Sequence, residues 1–235
     1  MERIEWIIQE YKNIFEDGSG EMPVIRVKIH KDLDMTLDYT VSGIERIGVL
    51  KYIDEMLTAF NKMDPSNSGT NSSAAPENMF KVKEDYEKLS PDKAKVFHNM
   101  VSKKIYTTKR AIHDTCTSVA FLTNMLREPD TNDWKKLAHL MKYPRETRNL
   151  PLILGAGGTG ILKWWIDALL TVHANMRVHN GGGMYIGRGF TFVTSTKQKL
   201  KNRTSTDAEI FGVDDCMPAL CWTRYLLEAQ DYNVT

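Results

Sequence analysis

The sequence predicts an α+β fold, on three observations. Apolar residues recur at helical spacing in several stretches. Two other regions, 22–48 and 151–195, shorten to strand-like alternation. Between the first helices and the next lies a polar stretch rich in Asn, Ser and Pro.

Taken in order, residues 3–16 place Ile4, Ile7, Ile8, Tyr11, Ile14 and Phe15 on one helical face, and DGSG at 17–20 ends that helix. From 22 to 48 the alternation runs over Val24, Arg26 and Lys28, then Met35, Leu37 and Tyr39, then Ile44 and Ile47, with Ser42-Gly43 as a hairpin turn. Two or three antiparallel strands follow from it. Val49, Leu50, Ile53, Met56, Leu57 and Phe60 return to helical spacing until Asp64-Pro65. Residues 64–78 are expected to be too polar to pack and to form a linker.

Ser90 and Pro91 open the next helix as cap and first helical residue, and Val96, Phe97, Met100, Val101 and Ile105 form its apolar stripe. A second helix covers about 112–127 with Val119, Leu122, Met125 and Leu126 inward. A third starts after Thr131, uses Trp134, Leu137 and Met141, and is expected to break at Pro144. After Leu150 come PLIL, a glycine-rich hairpin turn at 155–160, a buried central strand carrying Asp167, a turn around 173–183 and strand-like 184–195. Three antiparallel strands are the simplest reading. Residues 204–229 close the chain as a helix with Ile210, Val213, Met217, Leu220, Cys221 and Leu227 on its inner side and Pro218 placed to kink it. The expected parts are 1–63, a linker at 64–78, a helical 79–150, and a sheet with one flanking helix at 151–235.

A chain of 235 residues with 42% hydrophobic content can bury a sizeable core. Lys and Arg number 31 against 30 Asp and Glu, so net charge announces no nucleic-acid partner; such a partner has to be argued from a site. The three cysteines, Cys116, Cys216 and Cys221, show neither CxxC spacing nor a signal peptide ahead of them, which predicts an intracellular, reducing setting in cytoplasm or nucleus. No apolar run approaches the roughly 20 residues of a membrane span.

GAGGTG at 155–160 spells GxGxxG, but a dinucleotide site needs those glycines to open a helix, and the ILKWWI that follows is β-prone. GVDD at 212–215 falls mid-helix and reads as a solvated acidic face. His173 and His179 have no third ligand nearby and read as packing or surface residues. Asp167 is an acid in an aromatic run, and an isolated buried carboxylate needs a partner or a metal. Glu209 has a plain alternative, because Thr206 and Glu209 also spell a capping box. Together the two form a more specific pattern: a strand aspartate, two further strands, then a glutamate at the start of a helix. Two-metal nucleases bring carboxylates from separate elements to ions ~4 Å apart, and magnesium suits such oxygen ligands.

Several strings follow one another in order: KWWIDA from 163, HANMRVHNGGG from 173, TSTKQK from 194, STDAE from 205, GVDD from 212 and CWTRYLLEAQ from 221. Upstream stand HKDLDMTLDY from 30, FHNMVSKKIY from 97, TKRA, VAFLT and DWKKL. This run, covering nearly the whole chain, resembles copia-type retrotransposon polyproteins, from the C-terminal part of the reverse transcriptase into the N-terminal part of ribonuclease H. The resemblance implies a polymerase palm tail with thumb-like helices at 1–63, a helical connection at 79–150, and an incomplete ribonuclease H-like sheet at 151–235. It implies that Asp167 and Glu209 are the first metal-binding aspartate and glutamate of the nuclease, that magnesium, or manganese in its place, is the cofactor, and that an RNA–DNA hybrid or other nucleic acid is the partner. Asp207 matches a position that is usually acidic but not a ligand.

By the same match the polymerase aspartates would lie before Met1 and the next nuclease aspartate beyond Thr235, so the expectation is a fragment inactive alone. The alternative is a non-catalytic nucleic-acid-binding or interaction module. Three departures suggest a decayed copy: IHD at 112–114 for the family's Arg-Pro-Asp, Leu169 where a serine is usual, and Asp34 for a glycine. The last is costly if that position needs a positive φ.

Overall fold

The structure is a computed structural model that describes residues 2–16, 20–82, 85–155, 157, 160–170 and 172–234. It is an α+β fold. The helices are α1 (Glu2–Phe15), α2 (Leu50–Met63), α3 (Pro91–Arg110), α4 (Cys116–Thr123), α5 (Thr131–Thr147) and α6 (Ser205–Glu228). The strands are β1 (Ile29–Asp32), β2 (Met35–Asp38), β3 (Ile44–Gly48), β4 (Leu152–Gly155), β5 (Lys163–Leu169), β6 (His179–Tyr185) and β7 (Phe192–Lys197). They form two antiparallel sheets, in orders β1-β2-β3-β4 and β5-β6-β7. Among the described residues no helix is long and apolar enough to cross a membrane.

β1 and β2 join through Leu33 and Asp34, both with positive φ, +47° and +61°. A two-residue turn with this backbone matches the twist of the strands it joins and favours Asn or Gly at both places. The position of Asp34 therefore does need a positive φ. Its carboxylate takes an ion pair with Lys51 at 3.1 Å in return.

The main core lies between helices α2 to α5. Ile53, Met56 and Phe60 of α2, Phe97 and Val101 of α3, Phe121 and Leu122 of α4, and Leu137, Leu140 and Met141 of α5 are buried together. Phe60 stacks on Trp134 with ring centroids 5.5 Å apart. α3 starts as the sequence predicts, with Ser90 Oγ accepting from the Lys93 amide and Pro91 next to it. α5 is capped by a reciprocal Asp130 and Asp133 box and runs three residues past Pro144, where a break was expected, because the flanking turns keep their packing.

The polar residues 64–78 hold no helix or strand, yet they are not unpacked. Asn67 is buried, Asn71 donates to the His139 carbonyl, and Ser118 and Arg145 donate to the carbonyls of Ala74 and Gly69. Side-chain to backbone bonds replace the apolar contacts that composition lacks, and α2 shares one core with α3, α4 and α5 across this stretch.

Three strand expectations after residue 150 need correcting. β4 pairs with β3, not with β5, so the glycine-rich 155–160 joins two sheets instead of closing a hairpin; Ala156, Gly158 and Thr159 lie outside the described residues. The stretch 173–183, expected as a turn, already contains β6 from His179 onward. Its Gly182 and Gly183 suit a crowded strand: an added Cβ would stand 2.9 Å from Cys216 Sγ at the first and 2.6 Å from the Phe190 ring at the second. Finally, β5 is an edge strand of its sheet, and β6 is the central one.

α6 lies on β5 and β6. Its inner side is Ala208, Gly212, Cys216 and Thr223, while Ile210, Val213 and Met217, expected inward, are exposed. Small residues let the helix come close to the sheet: an added Cβ at Gly212 would be 3.1 Å from Ile166 Cγ2.

Candidate metal site

β5 alternates along its length: Trp164, Ile166 and Ala168 are half-buried, while Lys163, Trp165, Asp167 and Leu169 are exposed. Ile166 meets Gly212 of α6, so its neighbour Asp167 points from the other face of the sheet. The expectation of a buried aspartate on a central strand is therefore corrected: the apolar neighbours of Asp167 in sequence face the opposite way, and its carboxylate stays hydrated.

Glu209 is exposed on α6, on the face of the sheet that the helix covers. It is not the capping carboxylate either. Thr204 is the cap, accepting from the Asp207 amide at 3.1 Å, so the helix begins two residues before the Thr206 to Glu209 pattern requires. Asp167 and Glu209 thus leave the sheet from different sides, and a pair of ions ~4 Å apart needs carboxylates that converge. Among the described residues no group of three or more His, Cys, Asp and Glu could hold a metal ion. The residues present do not fit a two-metal centre.

Asp214 and Asp215 are exposed and mid-helix, in keeping with a solvated acidic face. Asp215 also accepts from Asn180 Nδ2 at 2.8 Å. Asn180 belongs to a buried amide chain. Gln198 Nε2 donates both to Asn180 Oδ1 and to the Ala208 carbonyl, and Asn202 Nδ2 donates to Gln198 Oε1. This chain fixes the start of α6 against β6. The element after residues 155–160 is strand β5 rather than a helix, so among the described residues no helix N-terminus follows the glycines to take a pyrophosphate.

His173 and His179 are the feature sequence reasoning underrated. Both are buried. His173 Nε2 stands 3.0 Å from His179 Nδ1, His179 Nε2 stands 2.6 Å from Ser195 Oγ, and Ser195 Oγ reaches Thr117 Oγ1 at 3.5 Å. The Phe80 ring packs on both imidazoles, and Phe121 stacks on His173. Burial first, then the positive charge of Lys197, pushes both imidazoles down to about 4, so they are neutral at pH 7. The Ser195 hydroxyl lies nearer His179, at 2.6 Å, than Thr117, at 3.5 Å, and which atom of each His contact donates depends on the imidazole tautomers. The relay gives these buried polar groups partners under the Phe80 and Phe121 rings. A sequence signal existed: His179 and Ser195 both alternate toward the α4 side of their strands, and α4 packs on β7.

Compared with known proteins, the chain matches no family model, no curated protein and no solved structure.

Proposed function

We propose that this chain is a piece of a retrotransposon reverse transcriptase and ribonuclease H that acts, in the arrangement described, as a non-catalytic nucleic-acid-binding module. The ordered strings from KWWIDA to CWTRYLLEAQ support the ancestry, together with an antiparallel β5-β6-β7 run followed by α6 on β5 and β6. The non-catalytic part rests on one observation: Asp167 and Glu209 leave the sheet from opposite faces, so the carboxylates that the ancestral hydrolysis of RNA in RNA–DNA hybrids calls for do not meet.

The test uses a labelled RNA–DNA hybrid with the full chain. Binding should persist in EDTA and weaken as salt rises, since phosphate contacts release counterions, and no RNA cleavage should appear on adding magnesium. Robust magnesium-dependent cleavage lost in Asp167→Asn would overturn the reading in favour of an active nuclease. Absence of hybrid binding at low salt would overturn the nucleic-acid part.

A further inference from the structure

The chain is balanced in charge as a whole, but α3 is not: its 20 residues hold Lys93, Lys95, Lys103, Lys104, Lys109 and Arg110 against Asp92 alone. Lys95, Lys103 and Arg110 lie on the outer side of the helix, because its apolar stripe of Phe97, Met100 and Val101 is committed to the core and Lys104 is buried with it, while Lys93 stands over the Trp134 ring and Lys109 bonds the Val193 carbonyl. At 100° per residue, Lys95, Asn99, Ser102, Tyr106 and Arg110 form one stripe about 22 Å long at ~1.5 Å rise per residue. Beside it, Tyr52 of α2 joins Lys95, His98, Asn99, Ser102 and Lys103 around an open cavity of about 400 Å³.

The aromatic groups in this stripe are set among cations. Tyr52 and Tyr106 pair with centroids 4.6 Å apart, the Lys103 ammonium stands 6.0 Å from the Tyr52 ring centre, and the Arg110 guanidinium stands 5.7 Å from that of Tyr106. Two cations, Lys51 and Arg148, meet three nearby acids, so one carboxylate charge remains against the three cations Lys95, Lys103 and Arg110. Lys51 pairs with Asp34 at 3.1 Å and Glu55 at 3.8 Å, and Arg148 pairs with Asp54 at 2.8 Å. The stripe keeps a net positive charge; Ser102 and Tyr106 spend their hydroxyl protons on the carbonyls of His98 and Leu33, which leaves Asn99 and the cations as its donors.

We propose that this face of α3, with Tyr52, is a contact surface for the sugar–phosphate backbone of a nucleic acid, the cations taking phosphates and the tyrosine pair offering a stacking or sugar-packing platform. Cations interleaved with aromatic rings along a groove are what backbone tracking requires. A bilayer surface fits less well, because membrane-bound helices present a broad apolar face between their cations, and the apolar side of α3 is inside the core. The proposal rests on the nucleic-acid reading above and adds the surface that carries it.

The experiment follows fluorescence anisotropy of a labelled 20-base-pair RNA–DNA hybrid against salt, with the full chain. The triple variant Lys95→Gln, Lys103→Gln, Arg110→Gln should lower the slope of log affinity against log salt by about 2 to 3, close to 0.9 per phosphate contact. A control triple, Lys199→Gln, Lys201→Gln, Arg203→Gln, should leave the slope within about 1 of the parent. Tyr52→Ala should weaken binding without changing the slope, and circular dichroism should be the same for all variants. Equal slopes for the parent and the first triple, or an equal drop in both triples, would overturn the assigned surface while the nucleic-acid reading stands. No binding by the parent at low salt would sink that reading, and this one with it. Capture by phosphatidylserine vesicles that the first triple abolishes and the hybrid does not compete away would assign the face to membranes instead.

Discussion

Two imidazoles held 3.0 Å apart between Phe80 and Phe121 are stable there only while neutral, because a charged ring would lose hydration without gaining an opposite charge. Their folded-state pKa is lowered to about 4 from an ordinary 6.5. The sign follows. The unfolded chain binds protons first on acidification, so the stability from this pair is complete above pH 6.5 and is lost as pH falls toward 4. Each imidazole's displacement corresponds to roughly 3 kcal/mol across that window, and protonating one ring makes protonating its neighbour harder still, so the second histidine adds to the loss. Urea midpoints between pH 7.5 and 4.5 should fall steeply for the parent and distinctly less for His173→Gln with His179→Gln. Burial also lowers His113, so a residual slope remains in the double variant. Equal acid sensitivity in both proteins would show that the pair titrates freely.

Helix α6 shows what close packing demands of an element. Its buried side is made of small residues because the sheet beneath it already supplies bulk: Trp164, Ile166 and Thr194 stand on that face, and Gly182 leaves the gap into which Cys216 fits. A methyl group at Gly182 would stand 2.9 Å from Cys216 Sγ and 3.0 Å from Thr194 Cγ2. Gly182→Ala should therefore cost about 1–3 kcal/mol of unfolding free energy through overpacking. Adding Cys216→Ala should return part of it, and Trp222→Ala, on the exposed side, should stay within about 0.5 kcal/mol. Denaturant titration of the four proteins checks this, and an undamaged Gly182→Ala would mean the helix sits farther from the sheet. The same packing explains what could and could not be read from the sequence. Periodicity located α1, α2, α3 and α6 closely, and Ser90-Pro91 marked the start of α3, because those signals are local. In α6 it placed Ile210, Val213 and Met217 inward, where they meet solvent, while Leu220, Cys221 and Leu227 are half-buried, because a period does not say which partner surface is waiting. The glycines of β6 looked like a turn for the same reason, since their cause is a helix and a phenyl ring brought up from elsewhere. At the candidate site, the residue types were legible and their directions were not. Asp167 has its side decided by the pleat of β5 and the position of α6, neither of which an isolated string of residues contains.

Across the whole molecule, packing crosses every boundary that composition suggests. β4 returns from beyond residue 150 to pair with β3, and Lys109 of α3 bonds the Val193 carbonyl in β7 at 2.7 Å. Phe80 and Phe121, from the helical region, close over the two histidines of the second sheet. Parts joined by a paired strand and a shared aromatic cluster gain little by opening separately, since opening either exposes the surface of both. The helical core and the β5-β6-β7 sheet are accordingly expected to unfold together. Ile53→Val, a loss of one buried methyl group in α2, should cost about 1 kcal/mol. Native-state amide exchange would then show the slowest amides of α3, around Phe97 to Val101, and those of β6, around Asn180 to Met184, losing protection by the same amount, although Ile53 belongs to the helical core and β6 to the second sheet. Unchanged protection in β6 beside a loss in α3 would show instead that the sheet and the helical core are independent units, and that the bonds between them hold two domains in place without making them one.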